Sequence, residues 1–281
     1  MYGVELITDR NSLRKIYGLY TPDAIYGKKP FRIDAQKIGN VVIFSRWEDP
    51  EATRPQAPHP FCFSKSHELA TIEQQLEGAV SCHRLVRYEF GGIAMMVRFE
   101  LDAVAEAAPR NDSSQAINGR VNSLAEAMQK NTVISTLLPL SKYTEIKAGI
   151  IIHRTPYPSP PLSTFIEKKT RSAKGELDYV DIYGQLIFSQ TPHLYVARHT
   201  RGYFSSLEKV SLGQGKLGDI ENATQGMMRK VAGMFREMME TVEELGECSF
   251  VWKGEGSIVE VWKGEEQIGL SDEAREMLFA A

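Results

Sequence analysis

The stretch Val97-Arg98-Phe99-Glu100-Leu101-Asp102-Ala103 places charged residues inside an apolar run, and Tyr143-Thr144-Glu145-Ile146-Lys147-Ala148 does the same. Apolar, β-branched and aromatic residues make both runs typical of β-strands. Side chains on a strand alternate between its two faces, so charges two positions apart share a face. The two pairs are Glu100 with Asp102 and Glu145 with Lys147. We predict that neighbouring strands bring these groups together, as a metal-dependent phosphodiester hydrolase requires.

Composition narrows the class of protein. The chain has 281 residues, 42% of them hydrophobic and 25% charged, which is ordinary for a globular protein. A net charge of −3 excludes a globally basic nucleic-acid binder but leaves room for a local basic groove. Three cysteines without CxxC spacing indicate a reducing compartment, so we expect an intracellular protein in the nucleus, the cytoplasm or both. Since no apolar run approaches ~20 residues, we expect no membrane partner.

Alternating strand and helix patterns predict an α/β protein of the mixed α+β type, with a central mixed β-sheet flanked by helices. We treat residues 1–281 as one domain. Gly91-Gly92 joins two strand-like runs and predicts a hairpin. Other predicted elements are a helix over 176–189, strands over 194–199 and 203–210, and a long helix capped by Asn222. Three further segments are a proline-rich loop at 48–60, an insertion at 104–128 and a C-terminal hairpin at 249–265.

The second charged segment is unusual because the residues that follow it in the sequence are strongly apolar. Ion pairs at sheet edges are common, so a single charged pair is weak evidence of function. Gly149-Ile150-Ile151-Ile152, however, is typical of a strand buried on both faces. Buried charges cost several kcal/mol, about 3–5 when one partner is missing, unless they are paired or bind a metal. This favours a functional role for Glu145 and Lys147.

The chemistry predicted for these groups is specific. Hard cations such as Mg²⁺ and Mn²⁺ take oxygen ligands and retain water molecules and substrate phosphate in the remaining positions. Glu100, Asp102 and Glu145 would hold one or two such ions. Lys147 would position the attacking water or stabilise the developing negative charge.

These motifs, in this order, resemble the PD-(D/E)XK nuclease superfamily. Within it the chain is most similar to the DXO family of RNA 5′-end decapping and exonuclease enzymes, over roughly residues 31 to 210. The family's Glu-x-Asp and Glu-hydrophobic-Lys motifs and its downstream glutamine match Glu100-Leu101-Asp102, Glu145-Ile146-Lys147 and Gln185.

The resemblance implies a nuclease-like core, a catalytic role for Gln185 and a metal contact from the backbone carbonyl of Ile146. It also implies a further metal ligand, for which Glu68 is the candidate, although Glu68 lacks the glycine of the family motif. The implied partners are an RNA 5′ end, whether capped, triphosphorylated or monophosphorylated, and a 5′→3′ exoribonuclease.

Basic residues near the charged strands are candidate phosphate ligands, since phosphate contacts come mainly from Lys and Arg. Arg87 and Arg98 lie beside the predicted site, with ion pairing to Glu89 as the simpler alternative. Three more candidate phosphate ligands lie in the basic run 168–174, namely Lys168, Lys169 and Arg171. The alternative for this run is a solvated loop without a phosphate contact.

Three functions follow from this sequence. The first is a metal-dependent hydrolase of RNA 5′ ends, acting by decapping, pyrophosphate removal or 5′→3′ exonucleolysis. The second is a PD-(D/E)XK nuclease that acts on DNA. The third is a catalytically inactive relative that binds RNA or a partner nuclease as a scaffold.

Overall fold

The structure, a computed structural model, describes residues 3–24, 29–47, 82–105, 160–201, 203–256 and 258–263, and the backbone of 144–147 and 150–153. The strands are β1 Leu6–Asp9, β2 Phe31–Ile38, β3 Val41–Arg46, β4 His83–Phe90, β5 Ile93–Glu100, β6 Ala103–Val104, β7 Thr144–Lys147, β8 Ile150–His153, β9 Phe165–Ser172, β10 His193–Thr200, β11 Tyr203–Ser211, β12 Glu247–Trp252 and β13 Glu260–Trp262. The helices are α1 Arg10–Leu19, α2 Tyr179–Ser189 and α3 Gly215–Leu245.

Seven strands form the larger sheet, in the order β13-β12-β2-β3-β1-β5-β4. The short strand β1 lies parallel to both β3 and β5, and the other neighbouring pairs are antiparallel. The β4–β5 hairpin confirms the prediction made from Gly91-Gly92, because both glycines have positive φ, at 58° and 82°. β12 and β13 pair in antiparallel register, as predicted for the C-terminal hairpin.

A second sheet has four strands in the order β11-β10-β9-β6. β9 and β10 are parallel and are connected through α2, and β10 and β11 are antiparallel. The chain leaves the larger sheet at the end of β5 and enters the smaller one at β6, with only Leu101 and Asp102 between them. Two mixed sheets with helices packed against them confirm the mixed α+β class, although the sheet is divided in two.

Helices α1 and α2 pack closely against each other. The side chain of Asp9 caps α1 by accepting from the backbone N–H groups of Asn11 and Ser12, at 2.8 and 3.0 Å. Both Nη2 contacts of Arg14 with the Asp181 carboxylate measure 2.9 Å, and this pair joins the two helices. Gly184 lies directly under the ring of Tyr17, so the helices approach closely at this point.

Helix α3 carries the apolar stripe that its sequence predicts. Val231, Phe235, Met238 and Val242 are buried in the core together with Phe250 of β12. The predicted cap at Asn222 is wrong, since the helix begins at Gly215. Leu217 is fully buried, and this anchor explains why the first two turns are helical despite their glycines.

The solvated loop, the alternative for the basic run 168–174, is ruled out as far as Ser172, because these residues belong to β9, where Lys168 is buried. The insertion predicted over 104–128 is wrong at its first residue, since Val104 pairs with Phe165 in the smaller sheet. The proline-rich loop 48–60, residues 106–128 and Glu68 lie outside the described residues. Of the helices in the described ranges, none is long and apolar enough to span a membrane.

We predict opposite effects for alanine at two helical glycines. A Cβ at Gly184 would lie 2.8 Å from two ring carbons of Tyr17, whereas a Cβ at Gly233 of α3 would meet nothing within 4 Å. Gly184→Ala should lower the free energy of unfolding by about 1–3 kcal/mol through overpacking. Gly233→Ala should raise it by about 0.5–1 kcal/mol through helix propensity. Urea unfolding followed by circular dichroism measures both, and equal effects would contradict the close α1–α2 contact.

Candidate active site

A buried carboxylate with two cationic partners lies where the two sheets meet. Glu167 of β9 is 3% exposed. Its Oε2 accepts from Arg10 Nη1 at 2.8 Å, and its Oε1 accepts from Lys169 Nζ at 2.5 Å. Glu167 and Lys169 are two positions apart on one strand, so they project from the same face. Both carboxylate oxygens are therefore engaged by positive charges.

Arg10 reaches this point because of its place in the larger sheet. It is the first residue of α1, directly after β1, an interior strand of that sheet. Its guanidinium carbon lies 5.7 Å from the ring centre of Phe99 on β5, which supports the side chain from the apolar side. The Arg10–Glu167 pair consequently joins the larger sheet to the smaller one.

Asp102 occupies the crossing between the sheets. Its Oδ2 accepts from the backbone N–H of Lys168 at 2.7 Å, so the aspartate is held against β9 next to Glu167. Glu100 is two residues earlier, at the exposed end of β5. The negative charges of Glu167, Asp102 and Glu100 all act on Arg10. The Glu-x-Asp motif and the Glu167 carboxylate thus surround one guanidinium.

The carboxylates of Asp102 and Glu167 have pKa values that are shifted in opposite directions. Burial raises the pKa of Asp102, and the negative charge of Glu167 raises it further, against the opposing charges of Lys169 and Arg10. Burial alone would also raise the pKa of Glu167, but the charges of Arg10 and Lys169 and their hydrogen bonds hold it below its usual range. Glu167 is thus held in its ionised form, whereas for Asp102 the charges of Lys169 and Arg10 offset only part of the effects of burial and of Glu167.

Gln185 lies on α2, the helix that follows β9. The side chain is 7% exposed, and within the described part of the chain its Oε1 has no hydrogen-bond partner. A buried amide oxygen without a partner costs about 1–3 kcal/mol, so it calls for a ligand, a water molecule or a cation. The sequence prediction singled out this glutamine as a site residue.

A cleft of about 480 Å³ opens beside Glu100. Arg10, Arg46 and Arg98 line it, together with His83, Leu85 and Ser45 among others. His83 and Glu100 are register partners across the β4–β5 pair. Burial and the charge of Arg98 lower the pKa of His83, with Glu100 opposing. The cleft combines positive charge with an exposed apolar side chain, Leu85.

The remaining predicted residues have different surroundings. Arg98 lines the cleft, as expected for a phosphate ligand. Arg87 instead donates from Nη2 to the carbonyl of Gly3 at 3.1 Å, which ties the first described residue to β4. Lys168 is buried within β9, and Arg171 lies near the exposed end of the same strand.

The Glu145-Ile146-Lys147 motif is on β7, which pairs with β8 in a separate two-stranded sheet. Its side chains lie outside the described part, so the site role of Glu145 and Lys147 stays a prediction. The carboxylate that the described contacts place beside Asp102 is Glu167. Sequence reasoning missed the Glu167-Lys168-Lys169 motif, although its Glu-x-Lys spacing and its position before the glutamine helix were visible signals.

Three side chains of the site residues have the chemistry that a hard divalent cation requires. Asp102 and Glu167 supply carboxylate oxygens, and Gln185 supplies an amide oxygen without a partner. Burial and the charge of Glu167 raise the pKa of Asp102, and a bound cation would act in the opposite direction. Within the described ranges, no three His, Cys, Asp or Glu side chains lie close enough together to bind one ion. Asp102, Glu167 and Gln185 therefore have donor atoms suited to a hard divalent cation, and further ligands would complete its coordination.

Solved structures with the same fold are Rai1 proteins, which are members of the DXO family. Rai1 of S. pombe matches with a TM-score of 0.57 and 11% identity, over 93% of this chain and 72% of that one. Scheffersomyces stipitis Rai1 in complex with (3′-NADP)⁺ and calcium ion matches with a TM-score of 0.55 and 10% identity, over 98% and 70%. Candida albicans Rai1 in complex with pU5-Mn²⁺ matches with a TM-score of 0.53 and 10% identity, over 98% and 71%. At these identities the likeness establishes the fold alone.

The fold thus places the chain among mixed α+β proteins with the Rai1 architecture. The chain belongs to the family described as a domain of unknown function, DUF8563, whose model matches residues 1–279. No curated protein matches its sequence.

We predict that Arg10 stabilises the protein through Glu167. Arg10→Met would leave a buried carboxylate with one cationic partner, so the free energy of unfolding should fall by about 3 kcal/mol. Arg32→Met removes the partly exposed Arg32–Asp34 pair and should cost less than about 1 kcal/mol. Chemical denaturation measures both variants. In a Glu167→Gln background the cost of Arg10→Met should shrink, and an undiminished cost would show that Arg10 acts through packing.

Proposed function

We propose that this protein is a divalent-metal-dependent hydrolase that acts on the 5′ end of RNA. The observation that carries the proposal is the cluster of Asp102, Glu167 and Lys169 at the junction of the two sheets, beside an arginine-lined cleft. Carboxylates can hold a metal ion that activates water, and a nearby lysine can stabilise the negative charge that develops on the phosphate.

Each residue has a separate task in this proposal. Asp102 and Glu167 would hold the cation, and Gln185 would bind either the cation or the attacking water through Oε1. Arg10 keeps Glu167 ionised and oriented. Lys169 presents its ammonium group at the same carboxylate, where it can orient a water molecule or stabilise negative charge on the phosphate. When bound, Mg²⁺ or Mn²⁺ would polarise the phosphoryl oxygen and lower the pKa of that water.

The substrate class is inferred from the cleft and supported by the fold relatives. Arg46 and Arg98 provide positive charge for phosphate groups next to the cluster. The Rai1 relatives hold nucleotides or RNA, namely 3′-NADP⁺, 3′-FADP and pU5, and two of these structures contain calcium or Mn²⁺. These complexes support an RNA 5′ end as substrate over duplex DNA. The 5′→3′ exoribonuclease partner and the nuclear or cytoplasmic location stay predictions.

We predict metal-dependent hydrolysis that requires Glu167 and Lys169. Purified protein is incubated with capped, 5′-triphosphate and 5′-monophosphate RNA and with DNA, in the presence of Mg²⁺, Mn²⁺ or EDTA. Glu167→Gln and Lys169→Met should each lower kcat about 100-fold or more, because Glu167 would hold the cation and Lys169 would stabilise charge on the reacting phosphate. The matched controls Glu244→Gln and Lys230→Met change exposed residues of α3 and should keep wild-type rates.

The same assay distinguishes the alternatives. Loss of activity in Glu145→Gln with full activity in Glu167→Gln would overturn the assignment to Glu167 and favour the motif on β7. Activity that persists in EDTA would rule out the metal mechanism. Cleavage of DNA in preference to RNA would identify the chain as a deoxyribonuclease.

We predict that Asp102 contributes to metal affinity. Calorimetric titration with Mn²⁺ should show binding to the wild-type protein, and Asp102→Asn should weaken it at least tenfold because the charge that attracts the ion is lost. Glu244→Gln again serves as the control. Absence of Mn²⁺ binding in the wild-type protein, with RNA binding retained, would favour the scaffold alternative.

A further inference from the structure

The cleft lies on one face of the seven-stranded sheet, and the same face extends well beyond it. Arg98 is the register partner of Leu85 on β4 and of Asp9 on β1, and all three line the cleft. On β3 the cleft is lined by Ser45, the register partner of Asp34 on β2. We call this side of the sheet the cleft face.

Hydrogen bonds and register trace the cleft face onto β12 and β13. Asp34 Oδ1 accepts from Ser249 Oγ and from Arg32 Nε, each at 2.7 Å, so these side chains project to one side. Ser249 is the register partner of Trp262, which therefore projects to the same side. The opposite side carries Phe250 in the hydrophobic core.

Two of the three tryptophans of the chain are exposed on the cleft face. Trp47 follows β3 and is 42% exposed, with the Arg32 guanidinium carbon 5.5 Å from its ring centre. Trp262 is 55% exposed, and its indole N–H donates to Glu260. The third, Trp252, is only 4% exposed and packs against Phe31 in the core.

The separation of the two exposed rings follows from the strand order. Trp47 leaves β3, and β2 and β12 lie between it and β13. Three strand spacings of about 4.8 Å place the two residues about 14 Å apart across the sheet. Rings so far apart cannot stack on the same planar group, so they would contact different units of an extended ligand.

The surface around Trp47 and Trp262 favours a ligand that has planar groups and that needs no charged partner at this place. Arg32 is paired with Asp34, and Lys253 is paired with Glu260 at 2.6 Å, so the charges around the tryptophans are balanced. The two exposed indole rings offer planar surfaces for stacking, and every nucleobase has a planar face that can stack on them. Positive charge for a phosphate backbone is supplied farther along the same face by Arg98 of the cleft.

We propose that Trp47 and Trp262 form a stacking platform for the bases of single-stranded RNA whose 5′ end lies in the cleft. The inference rests on the proposed function for the position of the 5′ end. Sheets that present exposed aromatic rings are a recurring way to bind single-stranded nucleic acid. The platform lets the protein hold nucleotides downstream of the reacting phosphate without reading their sequence.

Binding of RNAs of two lengths tests the platform. The probes are fluorescein-labelled 5′-monophosphate oligouridylates of two and ten nucleotides, measured by anisotropy in EDTA so that no metal-dependent hydrolysis occurs. The ten-nucleotide RNA should bind more tightly to the wild-type protein. Trp47→Leu and Trp262→Leu should each weaken its binding at least fivefold, and the double variant should bind both lengths equally.

Tyr203→Leu is the matched control. Tyr203 is 83% exposed on β11, the edge strand of the other sheet, so its replacement should leave both affinities unchanged. Tryptophan emission gives a second readout on the unaltered chain, since stacked bases should shield the exposed rings from acrylamide while buried Trp252 contributes a constant background. Wild-type affinity in the double variant, or unchanged acrylamide quenching at saturating RNA, would overturn the platform.

Failure of the platform and failure of the proposed function give different results. Hydrolysis of RNA 5′ ends together with unchanged affinity in the tryptophan variants would remove the platform and keep the hydrolase. Tryptophan-dependent binding of the ten-nucleotide RNA without hydrolysis in any metal would remove the hydrolase and keep the platform. RNA binding that is lost equally in Tyr203→Leu would overturn the assignment to this face.

Discussion

The buried Glu167 carboxylate, held between Arg10 and Lys169, is the contact on which the arrangement of the site depends. Arg10 belongs to the larger sheet through β1 and α1, whereas Glu167 and Lys169 belong to β9 of the smaller sheet. A charge buried to this extent tolerates neither the loss of a partner nor a large displacement. The junction of the sheets is therefore fixed at the place where Asp102 crosses between them.

Electrostatics at this junction divides the two carboxylates into different roles. Glu167 is stabilised as an anion by Arg10 and Lys169, and its negative charge, together with burial, raises the pKa of Asp102. The protein thus holds side by side two carboxylates whose pKa values are shifted in opposite directions. Such an arrangement favours a ligand that brings positive charge, and the unpartnered oxygen of Gln185 adds to that preference.

Packing places the helices so that these groups stay in position. Close contact of Gly184 with Tyr17 and the Arg14–Asp181 pair hold α2 against α1, the helix that begins with Arg10. Gln185 is the next residue after that glycine, so its depth in the core follows from the same contact. On the other side of the larger sheet, the cleft face carries Arg98 near the site and the two exposed tryptophans beyond it.

The sequence alone determined the mixed α+β class, the β4–β5 hairpin and the stripe of α3, because these depend on short-range periodicity and turn chemistry. Strand alternation singled out Glu100 and Asp102 as candidates, and the resemblance to the DXO family added Gln185. The sequence did not identify Glu167 or Arg10. For the basic run 168–174 the sequence left phosphate binding and a solvated loop open, since burial of its first residues comes from neighbouring strands that are distant in sequence. Arg10 lies 157 positions from Glu167, and no local pattern relates the two. Only the tertiary structure decided which charges meet, because pairing of buried charges is a property of the folded sheets and not of either strand by itself.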